Sequence, residues 1–118
     1  MLDSIMFSVS PSQLIRQRYS CRTYQKRPLA NQDVKILENY FQKAQPGPRG
    51  NQIRCRILTA SEFKERHLPK PGTYGFIKDP AAYIVGTTHD QPGALEDFGY
   101  SMELLVLKAT ELEIGSCW

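Results

Sequence analysis

The sequence predicts an α+β fold, on three observations. Two long segments repeat apolar residues at helical spacing, and two short runs have the alternation or β-branching of strands. A dense proline–glycine stop, Pro46-Gly47-Pro48-Arg49-Gly50, separates the early helical part from the first strand.

Each element has a local reason. Ser10-Pro11-Ser12-Gln13 starts a short helix: Ser10 is a capping hydroxyl, Pro11 suits the first helical position, and Gln13 completes a capping box. That helix should run to about Tyr19 and deliver Arg18-Tyr19-Ser20-Cys21-Arg22 at its exit. Asn31 is the expected cap of a second helix, whose stripe is Val34, Leu37, Phe41 and Ala44, widened by Ile36 and Tyr40. Residues 53–59 read as a half-buried strand, with Ile53, Cys55 and Ile57 on one face and Arg54 and Arg56 on the other. Residues 61–66 can make a turn or two of helix, and 69–75 a loop. The apolar run 81–87 has the character of a buried central strand. Residues 92–113 carry the longest helical pattern, with Leu95, Phe98, Met102, Leu105 and Ala109 on one face, extended by Leu104, Val106, Leu107 and Leu112. A helix apolar over so much of its circumference belongs at the centre of a fold or against a second subunit. Gly115 stands where a helix ends, and Ser116-Cys117-Trp118 opens a further strand or loop. Residues 1–118 are expected to form one incomplete domain, since two strands give the long helix little sheet to cover.

Composition narrows the function classes. The 118 residues are 41% hydrophobic and 23% charged, as in an ordinary globular chain, with no tract that points to disorder. A net charge of +3 is too small for a global attraction to nucleic acid or membrane. The charge is uneven, however: Arg16, Arg18, Arg22, Lys26 and Arg27 cluster early, and Glu96, Asp97, Glu103, Glu111 and Glu113 make the last part acidic. A local anion site is the expectation. The three scattered cysteines, Cys21, Cys55 and Cys117, fit neither a disulfide framework nor a zinc site, and no metal ligand set is expected. With no signal-peptide pattern and no apolar run of membrane-spanning length, the expected location is the cytoplasm, with reduced thiols.

Two segments carry the chemistry. Two guanidinium groups and a hydroxyl within Arg18–Arg22 can gather around one phosphate, although a solvated basic turn has the same spacing. In the 47–52 loop, Asn51 and Gln52 offer amides to a heteroaromatic ring, although such a segment taken alone is more often just a turn. Gly72-Thr73-Tyr74-Gly75 permits close backbone approach. His67 and His89 stand far apart with no acid pattern around either, and no nucleophile–base pair occurs, so no catalytic side chain is assigned. An enzyme of this kind must take its chemistry from a cofactor.

The order of these segments resembles the nitroreductase family. Arg18-Tyr19-Ser20-Cys21-Arg22-Thr23-Tyr24 is similar to that family's first-helix motif, an Arg-x-Ser-x-Arg followed by an aromatic. Pro46 to Gln52 resembles its proline-containing loop in part: Gln52 falls at the Gln position, whereas Gly50 stands where Asn is usual and Ile53-Arg54 replaces Pro-Trp. Gly72 to Ile77, the run 81–87, Leu95 to Tyr100 and Ala109 to Trp118 follow in family order, with Ser116 for Thr in a Gly-Thr-Cys-Trp-type segment. The resemblance implies a three-layer α/β/α sandwich with a mainly antiparallel sheet, of which residues 1–118 are the N-terminal part. It further implies FMN as cofactor, held by Arg18, Tyr19, Ser20, Arg22 and Gln52. NAD(P)H would be the electron donor, and nitroaromatic or quinone-type compounds the acceptors, in a ping-pong exchange of hydride. A homodimer, or pairing with a missing C-terminal half, is the implied assembly, with no nucleic acid or membrane partner. Two other classes remain open on the residues alone. One is a non-catalytic anion- or nucleotide-binding module, using Arg16, Arg18 and Arg22 with Tyr19 and Tyr24 as stacking residues; the other is an inactive truncated remnant.

Overall fold

The computed structural model describes residues 7–25, 27–67 and 79–118. Along the chain run α1 (Pro11–Gln17), α2 (Asn31–Lys43), β1 (Arg54–Thr59), α3 (Ala60–Glu65), β2 (Ala82–Thr87) and α4 (Ala94–Glu111). The class is α+β with an antiparallel sheet, as expected. The anticipated loop 69–75 and its Gly72–Gly75 segment lie outside the described residues.

Ser10 caps α1: its backbone is extended, and its Oγ accepts the Gln13 N–H at 3.2 Å with Pro11 behind it. The helix stops at Gln17, short of Tyr19, because Arg18 has already turned to extended backbone. The expected cap of α2 needs correction. Ala30 is the N-cap, without a side-chain bond, and Asn31 is the first helical residue. The backbone is still extended at Ala30 and turns helical at Asn31, one residue earlier than the capping preference indicates. At α3 the rule holds fully: Thr59 and Glu62 form a reciprocal capping box.

The strands pair from Arg54 opposite Thr87 to Thr59 opposite Ala82. Alternation then places Cys55, Ile57, Ile84 and Gly86 on one face and Arg54, Arg56, Tyr83 and Val85 on the other. The first face meets α2 and α4 in a core of Leu37, Phe41, Ile53, Ile57, Met102, Leu105 and Ala109. At Gly86 β2 lies close against α4: a Cβ there would fall 2.7 Å from the Phe98 ring. Among the described residues the second face carries α3, through the Phe63 ring 4.9 Å from Tyr83 and a Glu62–Arg56 ion pair at 3.6 Å.

Two expectations are overturned by this layering. The run 81–87 is not a buried central strand: Val85 is 47% exposed and Ile84 36%. Among the described residues β2 pairs with β1 alone, and most of its second face has nothing over it. In α4, Leu95 is 80% exposed, because Ala94 and Asp97 take the inward directions of the first turn. The rest of the α4 stripe is buried as expected at Met102, Leu104, Leu105, Leu107 and Ala109. A second small cluster joins Tyr40, Ala44 and Leu104, with Phe7 against it. Lys108 crosses the Phe7 and Tyr40 rings and pairs with Glu111 at 2.6 Å. Among the described residues no helix is long and apolar enough to cross a membrane.

Candidate functional site

Leaving α1, the chain runs extended and makes a parallel bridge with its own far end, Ser20 opposite Ser116. The Cys21 N–H donates to the Ser116 carbonyl at 2.9 Å. This contact brings the basic motif beside the last residues of the chain. The Arg18 guanidinium folds over the motif, donating to the Tyr19 carbonyl at 3.3 Å and to Ser20 Oγ at 3.4 Å. Both bonds are long, so the fork retains donors for a stronger acceptor. Arg18 and Ser20 are half-buried, whereas Tyr19 and Arg22 are exposed. Ser116 Oγ beside them is buried without a hydrogen-bond partner among the described residues. The spare donors of Arg18 and the Ser20 hydroxyl are what a bound oxyanion would satisfy.

The second sequence-predicted segment is built around a residue that sequence reasoning missed. Asp97 lies on the inward side of the first turn of α4 and is 1% exposed. Its carboxylate accepts the Arg49 N–H at 2.9 Å, the Asn51 N–H at 2.8 Å and Asn51 Nδ2 at 3.0 Å. Burial alone would raise the Asp97 pKa, but these three donors and the Arg49 charge outweigh it, and the pKa is lowered. Gly47 is packed against the same carboxylate; a Cβ there would fall 2.5 Å from Asp97 Cγ. In the structure position 97 sits inward with Ala94, Ser101 and Leu104, a placement no local sequence pattern signals.

This clamp reassigns the loop amides. Asn51 Nδ2 bonds both Asp97 and the Pro92 carbonyl, at 3.1 Å, so its donors are spent on the fold. Gln52 differs. Its neighbours are pinned, Asn51 by Asp97 and Ile53 by Gln45 Oε1 at 2.8 Å, and its own carbonyl accepts from Thr88 Oγ1 at 3.3 Å. The Gln52 residue is exposed on this fixed backbone. Among the described residues no hydrogen bond or ion pair joins Gln52 to the Arg18–Arg22 segment. An open groove of about 420 Å³ lies elsewhere, at the start of α2 and the β1–α3 junction, and includes neither Arg18 nor Gln52 among its lining residues. No group of three or more His, Cys, Asp or Glu residues gathers to hold a metal among the described residues.

The basic turn and the amide-bearing loop thus sit on one antiparallel α+β scaffold. The family model described as "Putative TM nitroreductase" matches residues 12–118, and the chain belongs to that family. No match was found among curated proteins or among solved structures.

Proposed function

We propose that the chain is the N-terminal part of an FMN-dependent, nitroreductase-type oxidoreductase and holds the phosphate side of its flavin site. The observation that carries this reading is the Arg18 guanidinium folded onto Ser20 Oγ at the Ser20–Ser116 bridge, with donors left unused. Arg18 would hold the phosphate through its guanidinium, Ser20 and the Tyr19 backbone would contact phosphate and ribityl oxygens, and Arg22 would add charge from the exposed side. Gln52 would present its amide to the ring from the loop that Asp97 fixes. When bound, FMN would supply two-electron chemistry between NAD(P)H and nitroaromatic or quinone-type acceptors. The chain's own residues bind and orient; none is assigned proton transfer. A second copy, or a C-terminal half in a longer chain, would cover the exposed face of β2, and the cytoplasm is the proposed location.

The test is direct. Purified full-length protein should retain added FMN through gel filtration, and its flavin band should bleach with NAD(P)H under anaerobic conditions. Arg18→Ala should weaken FMN retention by about 1–3 kcal/mol, the scale of a charge-assisted hydrogen bond. A protein that takes up no FMN overturns the reading. Salt-sensitive oligonucleotide binding in its place would establish the anion-binding module instead.

A further inference from the structure

The bridge that assembles the basic turn also aligns two cysteines. The bridge is a single pair, and the Cys21 N–H bond to the Ser116 carbonyl at 2.9 Å keeps the next residue of each segment close to the other. Beyond Ser20 and Ser116 these residues are Cys21 and Cys117. Side chains two apart share a face of an extended segment, so Gly115 and Cys117 point the same way. Cys21 lies on that side too: a Cβ built on Gly115 would fall 3.0 Å from Cys21 Sγ. The Tyr24 ring borders the same patch, 3.6 Å from that Cβ position. Its hydroxyl pKa is pushed up to about 12, by burial first and then by the charges of Cys21 and Cys117, so one phenol senses both sulfurs.

Both thiols are free and half-buried, and each donates only to a nearby carbonyl, Cys21 to Thr23 and Cys117 to Trp118. Flanking one backbone hydrogen bond, Cys21 and Cys117 are near enough for the Cα separation of roughly 4.4–6.8 Å that a disulfide needs to be within reach. Cys55 is elsewhere, on β1 opposite Gly86, where burial pushes its thiol up to about 11 and leaves little thiolate.

We propose that Cys21 and Cys117 are a redox-active pair that closes to an intramolecular disulfide by exchange with a low-molecular-weight disulfide. One protein thiolate attacks a sulfur of the small disulfide, breaking its S–S bond and expelling one small thiolate. The second protein thiolate attacks the protein-bound sulfur, forms the Cys21–Cys117 bond and expels the other small thiolate. The two small thiolates take up the two protons given up by the protein, whose thiols are oxidised as the small disulfide is reduced. Closure fastens the turn bearing Arg18 and Ser20 to the 114–118 segment. The pairing goes beyond the flavin reading and stands without it.

The folded protein is treated with oxidised glutathione, alkylated and mapped by peptide mass spectrometry. The expected product is one peptide pair joined through Cys21 and Cys117, lighter by two hydrogens, with Cys55 alkylated and no glutathione retained. Cys117→Ser should trap a stable glutathione adduct at Cys21, and Cys55→Ser should leave the product unchanged. In urea the joined product should fall by roughly tenfold relative to mixed disulfides, as the effective concentration of the pair is lost. Stable glutathione adducts on the unsubstituted protein, linkage to Cys55, an absence of reaction, or equal joining in urea overturns the proposal.

Discussion

Glycine serves opposite purposes at two positions of this chain. Gly47 is buried against the Asp97 carboxylate, and a methyl group there would overlap Asp97 Cγ, Cβ and Oδ1 at 2.5–2.7 Å. Neither partner can yield, since three hydrogen bonds hold the carboxylate and Gly47 itself donates to the Asn51 carbonyl. Gly47→Ala should therefore cost about 1–3 kcal/mol, the range for overpacking a closed site. Gly99, in the body of α4, has nothing within 4 Å of its Cβ position. There the backbone entropy of glycine is lost without any packing in return, and Gly99→Ala should stabilise by about 0.5–1 kcal/mol. Urea denaturation of the two variants checks both signs. A destabilised Gly99→Ala variant would show that something approaches this side of α4 in solution.

The join between α4 and the 47–52 loop is electrostatic, and its pH dependence follows from the Asp97 hydrogen bonds. Burial disfavours the charged form, but the Arg49 and Asn51 donors and the Arg49 charge win, so Asp97 titrates lower in the folded chain than in the unfolded one. Glu111 behaves alike at the other end of α4. Burial opposes its charge, while bonds from Lys108 and from the Ser8 and Val9 N–H groups more than offset that. A depressed carboxylate contributes stability that is complete above its unfolded pKa, about 4, and is lost as pH falls through the folded value. The urea midpoint should accordingly be higher at neutral pH than in acid. Asp97→Asn should lower the neutral midpoint and flatten the slope, because an amide turns a donor toward N–H groups that need an acceptor. An unaltered slope in that variant would place the acid sensitivity elsewhere. The same join shows where the sequence is readable and where it is not. Local rules suffice for the Ser10 cap, the Thr59–Glu62 box and the alternation of β1, since each involves neighbours in the chain. Asp97 reads as one more surface charge until the 47–51 backbone, some 46 residues earlier, is brought against it. β2 fails for a related reason: β-branching makes a strand, but only the layers around it decide whether Ile84 and Val85 are buried. Of the candidate site, Arg18 and Ser20 were visible as a spacing. Ser116 and the Cys21–Cys117 alignment were not, because a parallel bridge between chain positions so far apart leaves no local pattern.

Across the whole molecule, cohesion rests on a core shared by α2, β1 and α4. Leu105 is 1% exposed at its centre, and Leu112 and Ile114 carry that packing on toward the last residues. The terminal segment is then held by the Ser20–Ser116 bridge and by Trp118, whose Nε1 donates to Glu103 at 3.2 Å. Truncating Leu105 to alanine should cost about 2–5 kcal/mol, the range for emptying a well-packed leucine site. That is a large share of the stability of a chain this size, commonly 5–15 kcal/mol in all. Trp118 is the single tryptophan, so its fluorescence reports the terminal segment while far-UV circular dichroism reports the helices. If the core and the bridge form one cooperative unit, the two signals share a urea midpoint, and Leu105→Ala shifts both together. Should the fluorescence change come first and ignore Leu105→Ala, the 114–118 segment detaches by itself. The turn bearing Arg18 and Ser20 would then lose its strand partner before the fold is lost, and anion binding there would fail at lower urea than the helices do.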